Sequence, residues 1–207
     1  MAPPAREQLA RGIVSAAAVA AAAASSAAAP AQPSEPPEVR AFKPVADTYV
    51  SSASPHANFG RARVLRVDRA PETTTYLRFE LKNLRGTADG ITLLLHSNRG
   101  TRTSYEVRRV RSEEWSEREL TFENAPRVSL RYASSRVVRR SAWSAVDVTA
   151  LVGEDEDVSL AITTRSARTV AFGSRESRYG PRLAVQLEPD IEDPDIEDPV
   201  VGRLRRK

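Results

Sequence analysis

The chain has 207 residues and no cysteine, which excludes both a disulfide framework and a zinc–thiolate site. Its 41% hydrophobic and 28% charged residues supply enough apolar material for one core and exclude a wholly disordered chain. Residues 40–188 hold 25 basic residues, nearly all arginine, and 18 acidic ones, and this excess of seven positive charges favours polyanionic partners. A solvated surface of mixed charge is the plainer interpretation of the same composition.

Residues 1–31 have the composition of a secretory signal peptide. Arg6 and Arg11 precede an alanine-rich apolar stretch that closes at Ala29-Pro30-Ala31, where small residues are typical of a cleavage site. An uncleaved helix is the alternative, since residues 12–31 are long enough to span a membrane. Because alanine is only weakly apolar, we expect cleavage, and therefore a secreted, extracellular protein without a membrane span.

Residues 32–41 follow as a segment rich in proline and polar side chains. Such a segment cannot bury an apolar face, so it predicts an extended spacer. The folded domain is then expected to occupy residues 42–188, where short apolar runs are separated by turn formers such as Asn58-Phe59-Gly60 and Tyr179-Gly180-Pro181.

Within this domain the apolar residues recur at every second position, which is the period of a β-strand with one buried face. About eight strands, with no helix long enough to cross over a parallel sheet, predict an all-β fold, an antiparallel β-sandwich of the jelly-roll type. Residues 105–110 and 146–148 are shorter strand candidates, and only residues 148–152 suggest a single helical turn. The residues predicted to face the core are Leu65, Val67, Leu77, Phe79, Leu81, Ile91, Leu93, Leu95, Leu160, Ile162, Val170, Phe172, Leu183, Val185 and Leu187.

Residues 189–207 predict a polar tail. Asp190-Ile191-Glu192-Asp193-Pro194 is repeated at residues 195–199, and repulsion between the carboxylates favours an extended conformation. The basic cluster Arg203-Leu204-Arg205-Arg206-Lys207 follows and is expected to be a soluble terminus. An electrostatic clasp for a polyanion is the alternative.

Several short motifs carry a resemblance to a known family. In chain order they are Ala46-Asp47-Thr48-Tyr49-Val50, Asn58-Phe59-Gly60, Leu65-Arg66-Val67, residues 76–81, Trp115-Ser116-Glu117, Thr121-Phe122, Asn124-Ala125-Pro126, Val146-Asp147-Val148-Thr149 and Phe172-Gly173-Ser174-Arg175-Glu176. With them the chain resembles the DNRLRE-domain family, also classified as carbohydrate-binding module family 96, over nearly all of residues 45–187. The resemblance implies a secreted jelly-roll module of the kind often attached to polysaccharide-degrading enzymes or surface proteins. It also implies binding of an alginate-like glycan through basic residues, which is attributed to some members.

The candidate ligand contacts for an acidic polysaccharide are Arg66, Tyr76, Arg78, Arg108, Trp115 and Arg175. Planar guanidinium groups bind uronate carboxylates through two parallel hydrogen bonds, while an aromatic ring packs against a sugar face. We expect the strand alternation to turn Arg66, Tyr76 and Arg78 to solvent. Trp115 and Trp143 are the two tryptophans, and filling the core or sealing an end of the sandwich is the ordinary role of each. Trp115, which has acidic neighbours, is the one expected to be exposed if either is. The alternative is that Arg78 and Arg175 form structural ion pairs with neighbouring glutamates.

Asp47 and Asp147 are candidate metal ligands. Each interrupts an apolar run near a strand end, where carboxylate and backbone oxygens bind a hard cation such as calcium. Turn and capping roles are the ordinary alternative. No other cofactor is expected.

The domain is expected to bind a ligand and not to catalyse a reaction. His56 and His96 are the only histidines, and neither lies in a motif of a metal-dependent or nucleophilic enzyme. No nucleic-acid-binding motif is visible, so nucleic acid is not expected as a partner. The sequence therefore predicts a monomeric module that binds an anionic polysaccharide. A structural or adhesive surface module that binds another protein is the alternative.

Overall fold

The computed structural model of the protein describes residues 37–82, 88–99, 102–153 and 156–188. The predicted signal peptide, residues 32–36 of the predicted spacer and the predicted tail of residues 189–207 lie outside the described residues. In the described ranges the chain forms strands and a single helical turn. These elements are β1 (Glu38–Phe42), β2 (Ala46–Ser51), β3 (Val64–Arg69), β4 (Glu72–Glu80), β5 (Ala88–Arg99), β6 (Glu106–Val110), β7 (Val128–Ser134), β8 (Ala142–Asp147), α1 (Thr149–Val152), β9 (Asp157–Thr163), β10 (Val170–Gly173) and β11 (Arg182–Leu187).

Every strand pairing in these ranges is antiparallel, which confirms the predicted all-β antiparallel fold. One half of the sheet contains β1, β11, β5 and β8 side by side, with β10 and β3 continuing from the C-terminal part of β5. The other half has the order β2, β4, β9, β6 and β7. β3 joins the halves because it pairs with both β10 and β4. The sheet therefore curls around one core, an arrangement compatible with the jelly-roll type.

The core lies between the two halves, and the period-two pattern locates it correctly. Every residue predicted to face the core is buried, with at most 3% of its surface exposed. Leu77 and Phe79 of β4 belong to the same apolar cluster as Leu93 of β5 and Leu183 of β11. Each such side chain contributes about 1.5–3 kcal/mol on burial, so packing stabilises a chain that has no disulfide.

The domain begins earlier than the sequence predicts. Residues 38–41, which the composition assigns to the spacer, form most of β1, and this strand pairs with β11 from Glu38 opposite Leu187 to Phe42 opposite Leu183. β11 offers an open edge there and Phe42 packs against the core, so tertiary contacts override the polar composition. The expected helical turn at residues 148–152 is confirmed by α1, whereas β7 is not anticipated. No helix in the described ranges is long and apolar enough to cross a membrane.

The outer face of β4 and β9 is covered by protein. Residues 111–127, the covering segment, connect β6 to β7 and fold back over this face. A second apolar cluster is enclosed there, made of Ala46, Val50, Tyr76, Val110, Trp115, Leu120 and Ala161. The alternation is right about which side chains share a face but wrong about solvent on the outer one, because a loop supplies a further apolar layer.

Asn58 and Gly60 hold the covering segment from the loop between β2 and β3. The side-chain amide of Asn58 donates to the carbonyl oxygens of Glu117 (2.9 Å) and Leu120 (2.8 Å). A Cβ atom at Gly60 would lie 2.0 Å from the carbonyl oxygen of Glu117, so only glycine allows this approach. The predicted turn at Asn58-Phe59-Gly60 is therefore also a docking point.

Candidate functional site

Two of the predicted ligand contacts, Tyr76 and Trp115, lie beneath the covering segment. Tyr76 is 4% exposed and Trp115 is 6% exposed, so neither ring offers a face to a sugar. Trp115 donates from Nε1 to the hydroxyl of Ser159 (2.9 Å), and the hydroxyl of Tyr76 donates to the carbonyl oxygen of Pro126 (3.3 Å). Burial raises the pKa of Tyr76 to about 12, which keeps this donor protonated. The expectation that Tyr76 faces solvent is wrong, because the covering segment closes over it, and Trp115 has the core role that tryptophan more often takes.

Arg78 fastens the covering segment through main-chain contacts. Its Nη1 donates to the carbonyl oxygens of Glu113 (3.1 Å) and Trp115 (2.9 Å), and its guanidinium lies 5.6 Å from the centre of the Trp115 ring. The alternative of an ion pair with a neighbouring glutamate is not found in the described ranges, where the nearest candidate along β4, Glu80, pairs with Lys82 (2.6 Å). The contacts of Arg78 are therefore those of a positioning residue inside the fold.

Replacing Arg78 by alanine is expected to lower the free energy of unfolding by about 2 kcal/mol, because two carbonyl groups lose a charged donor. Retention by a polysaccharide should stay unchanged. Arg118→Ala is the matched control, since Arg118 is an exposed arginine of the same segment, and its effect should stay below about 0.5 kcal/mol. Urea unfolding followed by circular dichroism measures both. Lost retention with unchanged unfolding would make Arg78 a ligand contact.

Arg66 and Arg108 differ in their charge environment. Arg66 of β3 is exposed, and its guanidinium lies 5.9 Å from the centre of the Tyr49 ring. Arg108 of β6 forms an ion pair with Glu106 and donates to the carbonyl oxygen of Leu130 (2.9 Å). Arg108 is therefore already engaged within the fold, whereas Arg66 forms no ion pair with the described residues.

Arg175 and Asp47 meet in a cluster of charged side chains. The guanidinium of Arg175 pairs with Glu117 (2.9 Å) and Glu176 (3.0 Å), so the expected pair with Glu176 is confirmed. The backbone N–H of Arg175 donates to Oδ2 of Asp47 (2.7 Å), and the backbone N–H of Asp47 donates to Glu117 (2.9 Å). Burial raises the pKa of Asp47 to about 7 against the lowering effect of the Arg175 hydrogen bond, and the charges of Glu176 and Glu117 act with burial.

Asp147 has separate partners. Its Oδ1 accepts hydrogen bonds from the hydroxyl (2.7 Å) and the backbone N–H (2.9 Å) of Thr149, and these bonds lower the pKa of Asp147. In the described ranges the carboxylates close enough to share a metal ion are those of Asp47, Glu117 and Glu176, without Asp147. Asp47 and Asp147 therefore form no common site, and Asp147 has the contacts of an ordinary turn residue.

An exposed aromatic surface lies on the outer face of β5 and β8. His96 of β5 is the register partner of Trp143 of β8, and because its neighbour Leu95 is buried in the core, His96 points outward. Tyr179, from the loop between β10 and β11, stacks on His96 with ring centres 4.4 Å apart. Trp143 meets the His96 ring edge to face at 5.3 Å and the Tyr179 ring at 6.3 Å. His96, Trp143 and Tyr179 together form the aromatic platform.

Two rings of the platform are accessible to solvent. Trp143 is 42% exposed and Tyr179 is 40% exposed. On the same face Leu94 of β5 lies opposite Ala145 of β8 and opposite Arg182 of β11. Trp143 and Tyr179 therefore keep part of their ring surface in contact with solvent.

Two arginines flank the aromatic platform. The guanidinium of Arg178 lies 5.3 Å from the centre of the Tyr179 ring, and that of Arg182 lies 5.4 Å from the centre of the Trp143 ring. Within the part of the chain that the structure describes, no carboxylate forms an ion pair with either arginine. Both guanidinium groups therefore keep their donors for an external acceptor.

Another exposed ring, Tyr132 of β7, has a different electrostatic environment. It is 43% exposed and lies 4.8 Å from the guanidinium of Arg108 and 5.4 Å from that of Arg165. Both arginines pair with Glu106. Among the described residues, carboxylates therefore neutralise part of the positive charge beside Tyr132, and none pairs with the arginines beside the platform.

None of the platform residues is among the ligand contacts predicted from the sequence. The sequence pattern does, however, indicate that one of them, Trp143, faces outward. Val146 faces the core, so the alternation along β8 turns Trp143 outward. Because tryptophan more often fills a core, the sequence alone favours a buried position for Trp143 over the outward one that alternation indicates. Arg178 and Tyr179 lie in a loop without any period, so only the tertiary structure brings them to β5.

An all-β module with accessible aromatic rings beside unpaired arginines has the construction of a glycan-binding domain. The family model of carbohydrate-binding module family 96 matches residues 38–187, and the chain therefore belongs to this family. The match begins with the first residue of β1 and ends with the last residue of β11, so the family unit coincides with the folded domain. No curated protein matches the chain significantly.

Proposed function

We propose that the chain is a secreted, non-catalytic module that recognises an acidic polysaccharide, such as an alginate-like uronate polymer, on the aromatic platform. Membership of a carbohydrate-binding family supports a glycan as the ligand. The observation that carries the acidic specificity is the position of Arg178 and Arg182, which flank the platform and pair with no carboxylate in the described ranges. The alanine-rich residues 1–31 support secretion.

Recognition divides between the rings and the guanidinium groups. The C–H face of a pyranose is apolar, so packing it on Trp143 or Tyr179 removes apolar surface from water. A uronate carboxylate projects from the edge of the same sugar and accepts two parallel hydrogen bonds from an arginine. Because one arginine lies beside each of the two exposed rings, a sugar stacked on either ring has a cationic partner.

The charge of the whole domain acts in the same direction. Residues 40–188 carry an excess of seven basic over acidic residues. Such an excess raises the local concentration of a polyanion and speeds its encounter with the protein, and both effects weaken as salt is added. Sequence-wide charge therefore favours the same class of ligand as the local geometry.

Affinity electrophoresis tests the proposal in native gels that contain alginate, polygalacturonate or a neutral β-glucan. We expect the acidic polymers to retard the protein, added salt to weaken the retardation, and the neutral glucan to have no effect. Retardation by the neutral glucan alone would contradict the acidic specificity. Steady release of new reducing ends from any of these polymers would contradict the non-catalytic part.

Arg182→Gln should weaken the affinity for alginate about fivefold, which corresponds to about 1 kcal/mol, and should reduce the salt dependence. Glutamine keeps a polar side chain but removes the charge beside Trp143. Arg165→Gln is the matched control, because Arg165 is an exposed arginine next to an exposed ring but is paired with Glu106. Isothermal titration calorimetry compares the two variants. Equal losses in both would indicate a non-specific effect of net charge.

A further inference from the structure

We propose that Asp47, Glu117 and Glu176, the acidic cluster, form a calcium-binding site. One ligand oxygen from each residue lies within 4.8 Å of the others. Two oxygens on opposite sides of one calcium ion lie about 4.8 Å apart, since each bonds at roughly 2.4 Å. The spacing therefore suits a single shared ion. This site is separate from the aromatic platform and does not depend on glycan binding.

Asp47 supplies the independent reason to expect a ligand. Its side chain is 1% exposed, and while Oδ2 accepts the hydrogen bond from Arg175, Oδ1 is buried without a partner in the described ranges. The hydroxyl oxygen of Ser174, the residue before Arg175, is also buried without a partner there. An unpaired carboxylate oxygen is costly in a protein interior unless a cation or a donor compensates it.

The charge of the cluster fits a divalent ion. Three ionised carboxylates and the guanidinium of Arg175 sum to a net charge of −2. Arg175 binds one oxygen of Glu117 and one of Glu176, and each carboxylate oxygen has two lone pairs, so coordination positions remain.

The donor set favours calcium over other common cations. The group contains carboxylates and neither histidine nor cysteine, which disfavours zinc. Magnesium requires a nearly regular octahedron at about 2.0–2.1 Å and keeps several waters, whereas calcium accepts irregular sets of oxygens. Carboxylates from β2, the covering segment and the loop between β10 and β11 form such an irregular set.

A bound ion would join these three parts of the fold, and one of them carries a residue of the platform. The loop between β10 and β11 carries Glu176 of the acidic cluster and, a few residues later, Arg178 and Tyr179. A Cβ atom at Gly180 would lie 3.0 Å from the Cα atom of Arg175, so this loop folds back closely on itself. Calcium is therefore expected to stabilise the native domain and to fix the loop that presents Tyr179.

Calcium titration of the chelator-treated full-length protein, without polysaccharide, tests the site. We expect a saturable single-site isotherm in calorimetry with a dissociation constant of roughly 0.1–1 mM. Saturating calcium should raise the midpoint of thermal unfolding by about 5 °C, and magnesium should raise it less. The absence of both binding heat and a midpoint shift, at calcium concentrations up to about 10 mM, would overturn the proposal.

Glu176→Gln and Asp47→Asn should each abolish the calcium-dependent shift of the midpoint. Glu176 lies in an exposed loop, so its variant remains informative even if the buried Asp47→Asn variant fails to fold. Asp147→Asn is the matched control and should keep the full shift. A shift that survives Glu176→Gln would place the ion elsewhere and overturn the assignment. Because no glycan is present, failure here is distinguishable from failure of the polysaccharide proposal.

Discussion

Replacing Trp143 by alanine is expected to weaken the binding of acidic polysaccharide about 30-fold, or about 2 kcal/mol. The platform would lose its largest accessible ring, and both His96 and Arg182 would lose the surface against which they pack. The fold should remain, because Trp143 points away from the core and the free energy of unfolding should change by less than about 1 kcal/mol. Calorimetry with alginate and thermal unfolding of the same variant give both quantities.

Tyr132→Ala is the matched control for this prediction. Tyr132 has almost the same exposure as Trp143 and, like it, lies beside arginine, but it belongs to β7 in the other half of the sheet. We expect its removal to leave the affinity unchanged. Lost affinity in Tyr132→Ala with intact affinity in Trp143→Ala would move the ligand to β7. Intact affinity in both variants would remove the platform from consideration and strengthen a protein partner as the alternative.

Trp115→Ala is expected to damage the fold itself. The ring is buried in the second apolar cluster, packs against Tyr76 and Arg78, and donates to the hydroxyl of Ser159. Removing a buried tryptophan costs about 3–5 kcal/mol, which is a large part of the roughly 5–15 kcal/mol by which domains are stable. Urea unfolding measures this loss, and a variant as stable as the parent would contradict the closure of the covering segment over β4.

Trp115→Phe separates the two contributions of this side chain. Phenylalanine keeps much of the apolar contact but leaves the fully buried hydroxyl of Ser159 without its partner. The loss should therefore be smaller than in Trp115→Ala but should include about 1–3 kcal/mol for the unpaired hydroxyl. Adding Ser159→Ala removes that hydroxyl, and part of the stability should return. If the double variant is no more stable than Trp115→Phe, the loss comes from packing and not from the unpaired hydroxyl.

The core of this domain could be predicted because alternation is a local property of each strand. Leu93 and Leu183 are placed inside by their own neighbours along the chain, whatever strand lies beside them. Alternation does not say what covers the opposite face. Alternation therefore predicts correctly that Tyr76 lies on the outer side of β4 but wrongly that this side faces solvent. The covering segment has no periodic pattern from which its position over β4 could be predicted.

The candidate site was less predictable, because a sequence contains the charges but not their partners. The pair of Arg175 with Glu176 was foreseeable from adjacency, whereas its pair with Glu117, which lies 58 positions away, was not. Val146 and Leu183 face the core, so alternation along β8 and β11 turns Trp143 and Arg182 outward. Their meeting depends on β11, β5 and β8 being neighbours in that order, which is a property of the topology alone.

The first and last strands of the domain are neighbours, with Glu38 opposite Leu187. Arg182 begins β11 beside the platform, and at about 3.4 Å per residue it lies about 17 Å along the strand from Leu187. Polypeptide joined at either terminus of the domain would therefore leave from the same edge of the sheet, away from the aromatic platform. Insertion of the domain into another protein, or fusion at either end, would therefore leave the aromatic platform unobstructed.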